Sequence, residues 1–106
     1  MARYSNFFKV SRSNSGLRDF LVNTLKSCDL NMVYETTDYL VAKEKPGQVS
    51  MNQLATVEVL INPPTSEDSQ AKVNLVVRNE ELALSLNNHC HRVFSTVNEA
   101  IGAAAF

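Results

Sequence analysis

The chain has 106 residues, of which 44% are hydrophobic and 20% charged, and its formal net charge is −1. This length predicts a single domain over residues 1–106, and the composition is typical of a globular protein. No apolar run approaches the roughly 20 residues that a membrane-spanning helix needs. The N-terminal residues MARYSNFFKV lack the apolar stretch of a secretory signal. We therefore expect a soluble, cytoplasmic protein.

Charge is distributed unevenly along the chain. Residues 1–27 carry five basic residues and one acidic residue, a net charge of +4, whereas the rest of the chain has a net charge of −5. The five basic residues are Arg3, Lys9, Arg12, Arg18 and Lys26. The pattern favours two parts that neutralise each other on one compact surface. The alternative is a basic patch for an anionic partner, although nucleic-acid-binding domains usually carry a larger basic excess.

The first half of the chain predicts a strand, a helix and a hairpin. Residues 4–12 alternate, with Phe8 and Val10 on one face, which is typical of a strand. The residues SNSG at 13–16 can cap a helix, which the apolar spacing places over 15–28. The apolar residues of this helix are Leu17, Phe20, Leu21, Leu25 and Cys28. Strands over 30–35 and 39–44 then form a hairpin, and KPGQ at 45–48 is a turn.

The second half predicts two more strands and a helix. Residues 54–61 and 71–78 alternate, and the prolines in 62–70 indicate an exposed loop between them. A second helix is indicated by apolar residues that recur on one helical face. These residues are Leu86, Cys90, Val93, Phe94, Val97 and Ile101. Asn87 or Asn88 is the expected N-cap. Gly102 is expected to end the helix, which leaves 102–106 as a frayed tail.

The element order β-α-β-β-β-β-α predicts the fold class. Four consecutive strands with short connections favour an antiparallel sheet. The two helices, each with one apolar face, can cover one side of that sheet. We therefore expect an α+β two-layer sandwich. Its element order is similar to that of a TATA-binding-protein-like half repeat or a reduced helix-grip fold, a similarity that carries no functional weight.

Three segments together resemble a family of small uncharacterised proteins from cyanobacteria. They are YETTDYLVAKEKPGQ, ATVEVLI and RNEELALSLNNHCHRVF. The resemblance spans roughly residues 7–101. It implies no activity and no functional residues.

The segment LNNHCHRVF, residues 86–94, contains both histidines and one of the two cysteines. A helix turns about 100° per residue, so His89 and His91 would lie about 160° apart, on either side of Cys90. Two histidines share a metal ion from a helix at i, i+3 or i, i+4 spacing, or from a strand at i, i+2. The segment is therefore predicted to be an N-cap and first turns, with Cys90 buried and the two imidazoles diverging. Cys28 and Cys90 are expected to be free thiols.

The remaining side chains do not form a catalytic motif. Glu80 and Glu81 are adjacent, which rarely lets two carboxylates converge on one point, and Lys43, Glu44 and Lys45 look like a charged strand end. Phosphate-binding glycine loops, C-x-x-C and H-E-x-x-H are all missing from the sequence. We therefore expect a protein that is not an enzyme and that uses no metal or cofactor.

Three functions remain open. The first is a domain that acts through protein–protein contacts, as an adaptor, assembly or regulatory factor, with a homodimer as one form. Its surface would be the second face of the sheet, which includes Leu54, Leu60 and Val76. The second is a small-ligand binder with an apolar pocket between the sheet and the second helix. Its polar groups would be Tyr34, Tyr39, His89 and Arg92. The third, ranked last, is nucleic-acid binding by the basic N-terminal residues.

Overall fold

A computed structural model describes residues 1–10, 14–47, 49–63, 65, 70–82 and 88–105. The strands are β1 (Ala2–Val10), β2 (Leu30–Glu35), β3 (Tyr39–Glu44), β4 (Thr56–Asn62) and β5 (Ala71–Asn79). The helices are α1 (Asn14–Ser27) and α2 (His89–Ala105), and a short 3₁₀ helix spans Met51–Gln53. The predicted element order is confirmed.

The five strands form one antiparallel sheet in the order β1-β5-β4-β3-β2. The first strand therefore lies beside the last, and β1 and β2 are the two edges. α1 packs mainly over β2, whereas α2 packs over β1 and β5. Both helices lie on one side of the sheet, which we call the inner face; the side without helices is the outer face. The expected α+β two-layer sandwich is confirmed.

The core lies between the inner face and the helices. On β5, Ala71, Val73, Leu75 and Val77 alternate with less buried residues, because successive strand side chains point to opposite faces. The fully buried residues that the helices contribute include Leu17, Leu21, Leu25, Val97 and Ile101. The apolar periodicity of the sequence therefore identified the inner side of each element.

Several predicted boundaries were wrong. β1 begins at Ala2, because Ala2 pairs with Asn79 at the end of β5. β4 begins at Thr56 because the backbone N–H of Leu54 donates to Met51 O and closes the 3₁₀ turn. α2 does not end at Gly102 but continues to Ala105, since alanine has the highest helix propensity. Leu86, Asn87 and most of the expected 62–70 loop lie outside the described residues.

Candidate functional site

The segment around both histidines is the start of α2, as predicted. The side chain of Asn88 accepts a hydrogen bond from the backbone N–H of His91 at 2.8 Å, which is the contact an N-cap makes. Glu81, which precedes the helix by several residues, accepts from the backbone N–H of Cys90 at 3.0 Å. Two of the otherwise unpaired N–H groups of the first turn are thereby satisfied.

The two imidazoles diverge. His89 Nε2 lies 2.7 Å and 2.9 Å from the two carboxylate oxygens of Glu44, at the end of β3. The ring of His91 instead contacts Tyr4 on β1 edge-on, with centroids 5.0 Å apart. Because β4 and β5 separate β3 from β1 in the sheet, the two rings face different places. The prediction that they do not form one site is confirmed.

Cys90 lies between the two histidines and is fully buried, as predicted. Burial raises the pKa of its thiol to about 11, with smaller contributions from the Glu81 and Glu44 carboxylates. Such a thiol is protonated at neutral pH and is a poor nucleophile. Among the described residues, no group of three or more His, Cys, Asp or Glu side chains is arranged to hold a metal ion.

His89, Glu44 and Arg92 line a cleft between α2 and the sheet. Its volume is about 250 Å³, and the side chains of His89 and Glu44 are only 14% and 19% exposed. Glu44 Oε1 also accepts from the backbone N–H of Ala55 at 2.8 Å. Glu44 ends β3, as expected of a charged strand end, but its pairing with His89 was not predicted from the sequence. A carboxylate held by two donors fixes the orientation of the imidazole.

Tyr34 and Tyr39 do not belong to this cleft, which corrects the predicted set of ligand-binding residues. Tyr39 alternates with the buried Leu40 on β3 and therefore lies on the outer face. A bulge in β2 shifts the register after Met32, and Tyr34 pairs with Val41 on the same outer side. The two rings contact each other with centroids 5.9 Å apart. Of the predicted four residues, the structure brings only His89 and Arg92 together.

The predicted basic patch is also divided. Arg3 and Lys9 lie on the outer face of β1, whereas Arg18 and Lys26 belong to α1 in the other layer. Arg18 is paired with Asp19 and Glu35 at 3.2 Å and 3.1 Å. Arg12 lies outside the described residues. Sequence proximity therefore did not produce one surface, because β1 and α1 belong to different layers.

A different set of cations shares the outer face. It consists of Arg3, Lys9, Lys43, Lys72 and Arg78. Arg3 is directly opposite Arg78 in the sheet, and Lys9 is directly opposite Lys72. Glu58 lies on the same face and binds Arg78 at 3.0 Å. The described residues of this face therefore have a net charge of +4 on a chain whose net charge is −1.

An apolar band crosses the outer face between the two like-charged pairs. It consists of Phe7, Tyr34, Tyr39, Val41, Leu60 and Val76, interspersed with the polar residues Ser5, Glu58 and Asn74. Phe7 is 47% exposed, Tyr34 53% and Leu60 42%. Burial raises the pKa of Tyr39, and the neighbouring Glu58 carboxylate raises it further. Leu60 and Val76 were expected on this face and are found there, whereas Leu54 lies before β4 begins.

In the part of the chain that the structure describes, no helix is long and apolar enough to cross a membrane. Neither a protein-family model nor a curated protein matches this chain. The resemblance to small cyanobacterial proteins therefore remains a hypothesis.

Proposed function

We propose that this protein is a non-enzymatic binding module whose outer face docks a protein with an acidic surface. The observation that carries the proposal is the pairing of Arg3 with Arg78 and of Lys9 with Lys72 at either side of the apolar band. Like charges directly opposite each other destabilise a sheet. Glu58 already binds Arg78 at 3.0 Å, so carboxylates of a partner would be held mainly by Arg3 and Lys9, which are exposed on β1.

The spacing of the cations on the outer face favours a protein over a nucleic acid. Protein interfaces combine an apolar, aromatic centre with a polar rim. Three members of the band, Val41, Leu60 and Val76, are aliphatic and bury area against a protein, whereas the other three have rings on which bases can stack. Residues 3 and 9 are six positions apart on β1, a separation of about 20 Å. The cations thus form two clusters on either side of an apolar centre instead of a continuous track for a phosphate backbone.

The net charge of the outer face disfavours a second copy as its occupant. A two-fold interface presents the same patch to itself, so the charge of +4 would face an identical charge. Like-charge juxtaposition across an interface is costly. A homodimer, which the sequence led us to expect, would therefore use a different surface, and β1, an edge strand among the described strands, is one such surface.

The test immobilises the full chain and its matched variants and compares the protein that each of them captures. Phe7→Ser removes the exposed aromatic ring of the band, and Lys9→Glu reverses one charge of a like-charged pair. Glu99→Gln, at an exposed position on α2, is the control. We expect a bound protein that is retained by wild type and by the control, is lost with both outer-face variants, and is released by salt. The captured protein, once purified, should bind in a defined stoichiometry.

Two outcomes would overturn the proposal. Loss of the captured protein after nuclease treatment, together with direct binding of a 20-nucleotide oligothymidylate, would assign the outer face to single-stranded nucleic acid. Equal capture by Phe7→Ser, Lys9→Glu and wild type would remove the outer face from the interaction altogether. Light scattering of the pure protein measures its mass in solution and thereby distinguishes self-association from these two outcomes.

A cytoplasmic location is part of the proposal. The two free cysteines of the chain support it, because thiols persist where the surroundings are reducing.

A further inference from the structure

The cleft beside His89 lies on the inner side of the sheet and is separate from the outer face. Its walls come from the first turns of α2, the connection that follows α1, and the end of β3. Asp29, in that connection, has a positive φ of 64°, a conformation that non-glycine residues seldom adopt. The left-handed residue turns the chain sharply between α1 and β2, which leaves space between this corner and α2.

The floor of the cleft is apolar. Leu30, Val93 and Val97 line it; Leu30 and Val97 are only 5% and 1% exposed, so the partly exposed Val93 presents most of this apolar surface. A volume of about 250 Å³ corresponds to roughly eight water molecules. It is slightly below the lower limit of about 300 Å³ for sites that hold drug-sized ligands. A ligand that fits would be small, with an apolar body of a few carbon atoms.

The polar wall is held in place before any ligand binds. His89 Nε2 donates to Glu44, and Glu44 also accepts from the backbone of Ala55. Because Nε2 carries the donated proton, Nδ1 is the second polar atom of the ring. It makes no hydrogen bond with any residue in the described ranges.

The rim has charges of both signs, since the carboxylates of Asp29 and Glu44 line the cleft beside two cations. Arg92 and Lys45 both line the cleft, and a guanidinium has five N–H donors, enough to hold a carboxylate in addition to another group. Lys45 Nζ lies 2.8 Å from Asp29, but these side chains are 53% and 73% exposed. Exposed pairs of this kind contribute little to stability, so an incoming anion can displace Asp29. The partly buried carboxylate of Glu44 is already paired with His89.

We propose that this cleft binds a small organic carboxylate with a short aliphatic body. The body would lie against Val93, and the carboxylate would lie at the rim between Arg92 and Lys45. This site does not depend on the outer face or on the protein partner proposed for it.

The test uses hexanoate, with hexylamine and 1-hexanol as probes of the same chain length and different charge. Each is titrated into the ¹⁵N-labelled full chain. Hexanoate is expected to bind saturably and to shift the amide signals of His89, Val93 and Val97 most, whereas hexylamine is excluded and 1-hexanol binds more weakly. Arg92→Gln should weaken hexanoate binding roughly tenfold or more, because a charge-assisted hydrogen bond is lost.

A matched pair of tryptophan variants tests the location. Thr96 lines the cleft, and Glu99 is also exposed on α2 but does not. Thr96→Trp should block hexanoate, whereas Glu99→Trp and the outer-face variant Phe7→Ser should bind it as wild type does. Unsaturable binding of hexanoate, or equal binding of all three probes, would overturn the proposal. If Thr96→Trp does not fold, unchanged affinity in Arg92→Gln overturns it equally.

Discussion

The carboxylate of Glu81 accepts a hydrogen bond from the backbone N–H of Cys90 at 3.0 Å. Glu81 lies shortly after β5, and its own backbone N–H donates to the side chain of Asn79 at the end of that strand. The side-chain amide of Asn79 donates in turn to the Glu81 carboxylate. Glu81 therefore connects the end of the sheet to the first turn of the covering helix.

Loss of the Glu81 carboxylate should destabilise the protein. Glu81→Ala removes an acceptor from the α2 N-terminus, and the loss of a capping acceptor costs about 0.5–2 kcal/mol. Glu80→Ala is the matched control, because Glu80 is adjacent and exposed. We expect the free energy of unfolding in urea to fall for Glu81→Ala and to stay within about 0.5 kcal/mol of wild type for Glu80→Ala. Equal effects would show that Glu81 does not cap α2.

The contribution of Glu81 to the free energy of unfolding should depend on pH. Desolvation by burial raises the pKa of Glu81, but hydrogen bonds from Asn79 and the Cys90 backbone outweigh it and lower the pKa below its ordinary value. Because the pKa is lower in the folded state, the stabilisation is complete above the ordinary pKa of about 4.3. It is lost as the pH falls through the folded-state pKa.

The stability difference between wild type and Glu81→Ala should therefore be constant from pH 6 to 7 and smaller at pH 3. Urea unfolding at each pH measures it. A difference that grows on acidification would contradict the sign of the pKa shift.

The N-cap of α2 is tied to the first strand. The side-chain amide of Asn88 donates to the hydroxyl of Tyr4 at 2.9 Å, and Asn88 is only 7% exposed. Tyr4→Phe keeps the ring against His91 and Phe94 but removes the acceptor, which should cost about 0.5–1.5 kcal/mol. Tyr34→Phe, at a half-exposed outer position, should cost much less. Thermal unfolding of both variants distinguishes a local contact from a general sensitivity to tyrosine substitution.

The two cysteines should differ in reactivity. Cys90 is fully buried with a pKa of about 11, so about one thiol in a thousand is ionised at pH 8. Burial also raises the pKa of Cys28, but its side chain remains partly accessible. Iodoacetamide at pH 8 should therefore label Cys28 first, as measured by mass spectrometry of peptides. Both should react at similar rates in denaturant, and faster native labelling of Cys90 would show that α2 opens.

The sequence predicted those features of the fold that follow from local periodicity. Alternation in 71–78 identified the buried side of β5, and helical spacing showed that His89 and His91 must diverge. Contacts between distant segments could not be predicted in this way. Glu44 precedes His89 by 45 residues, and nothing in either segment indicates that β3 ends beneath the first turn of α2.

The candidate sites illustrate the same limit. The net charge of residues 1–27 suggested a basic patch, but Arg18 lies in a different layer from Arg3. The cation that lies opposite Arg3 is Arg78. Arg78 belongs to β5, the last strand in the sequence. Strand order and register are needed to find such pairs, and both are set by long-range packing. Alternation alone does predict that the side chains of Leu60 and Val76 lie on the face of the sheet away from the core.

A charge reversal on the outer face should separate stability from binding. Lys9 lies directly opposite Lys72, so Lys9→Glu places a carboxylate opposite an ammonium group. Cross-strand pairs of opposite charge contribute about 0.2–1 kcal/mol, and the gain should diminish in high salt. The variant is thus expected to unfold at a higher temperature than wild type at low ionic strength, while it loses the acidic protein partner.

Lys43→Glu is the matched control for this prediction. Lys43 lies on the same outer face but opposite Thr56, which carries no charge. The reversal should therefore leave the unfolding temperature nearly unchanged at low salt. Thermal unfolding at 10 mM and 500 mM NaCl measures both variants. If Lys9→Glu is no more stable than Lys43→Glu at low salt, the lysine pair does not strain the sheet, and the charge argument for an acidic partner fails with it.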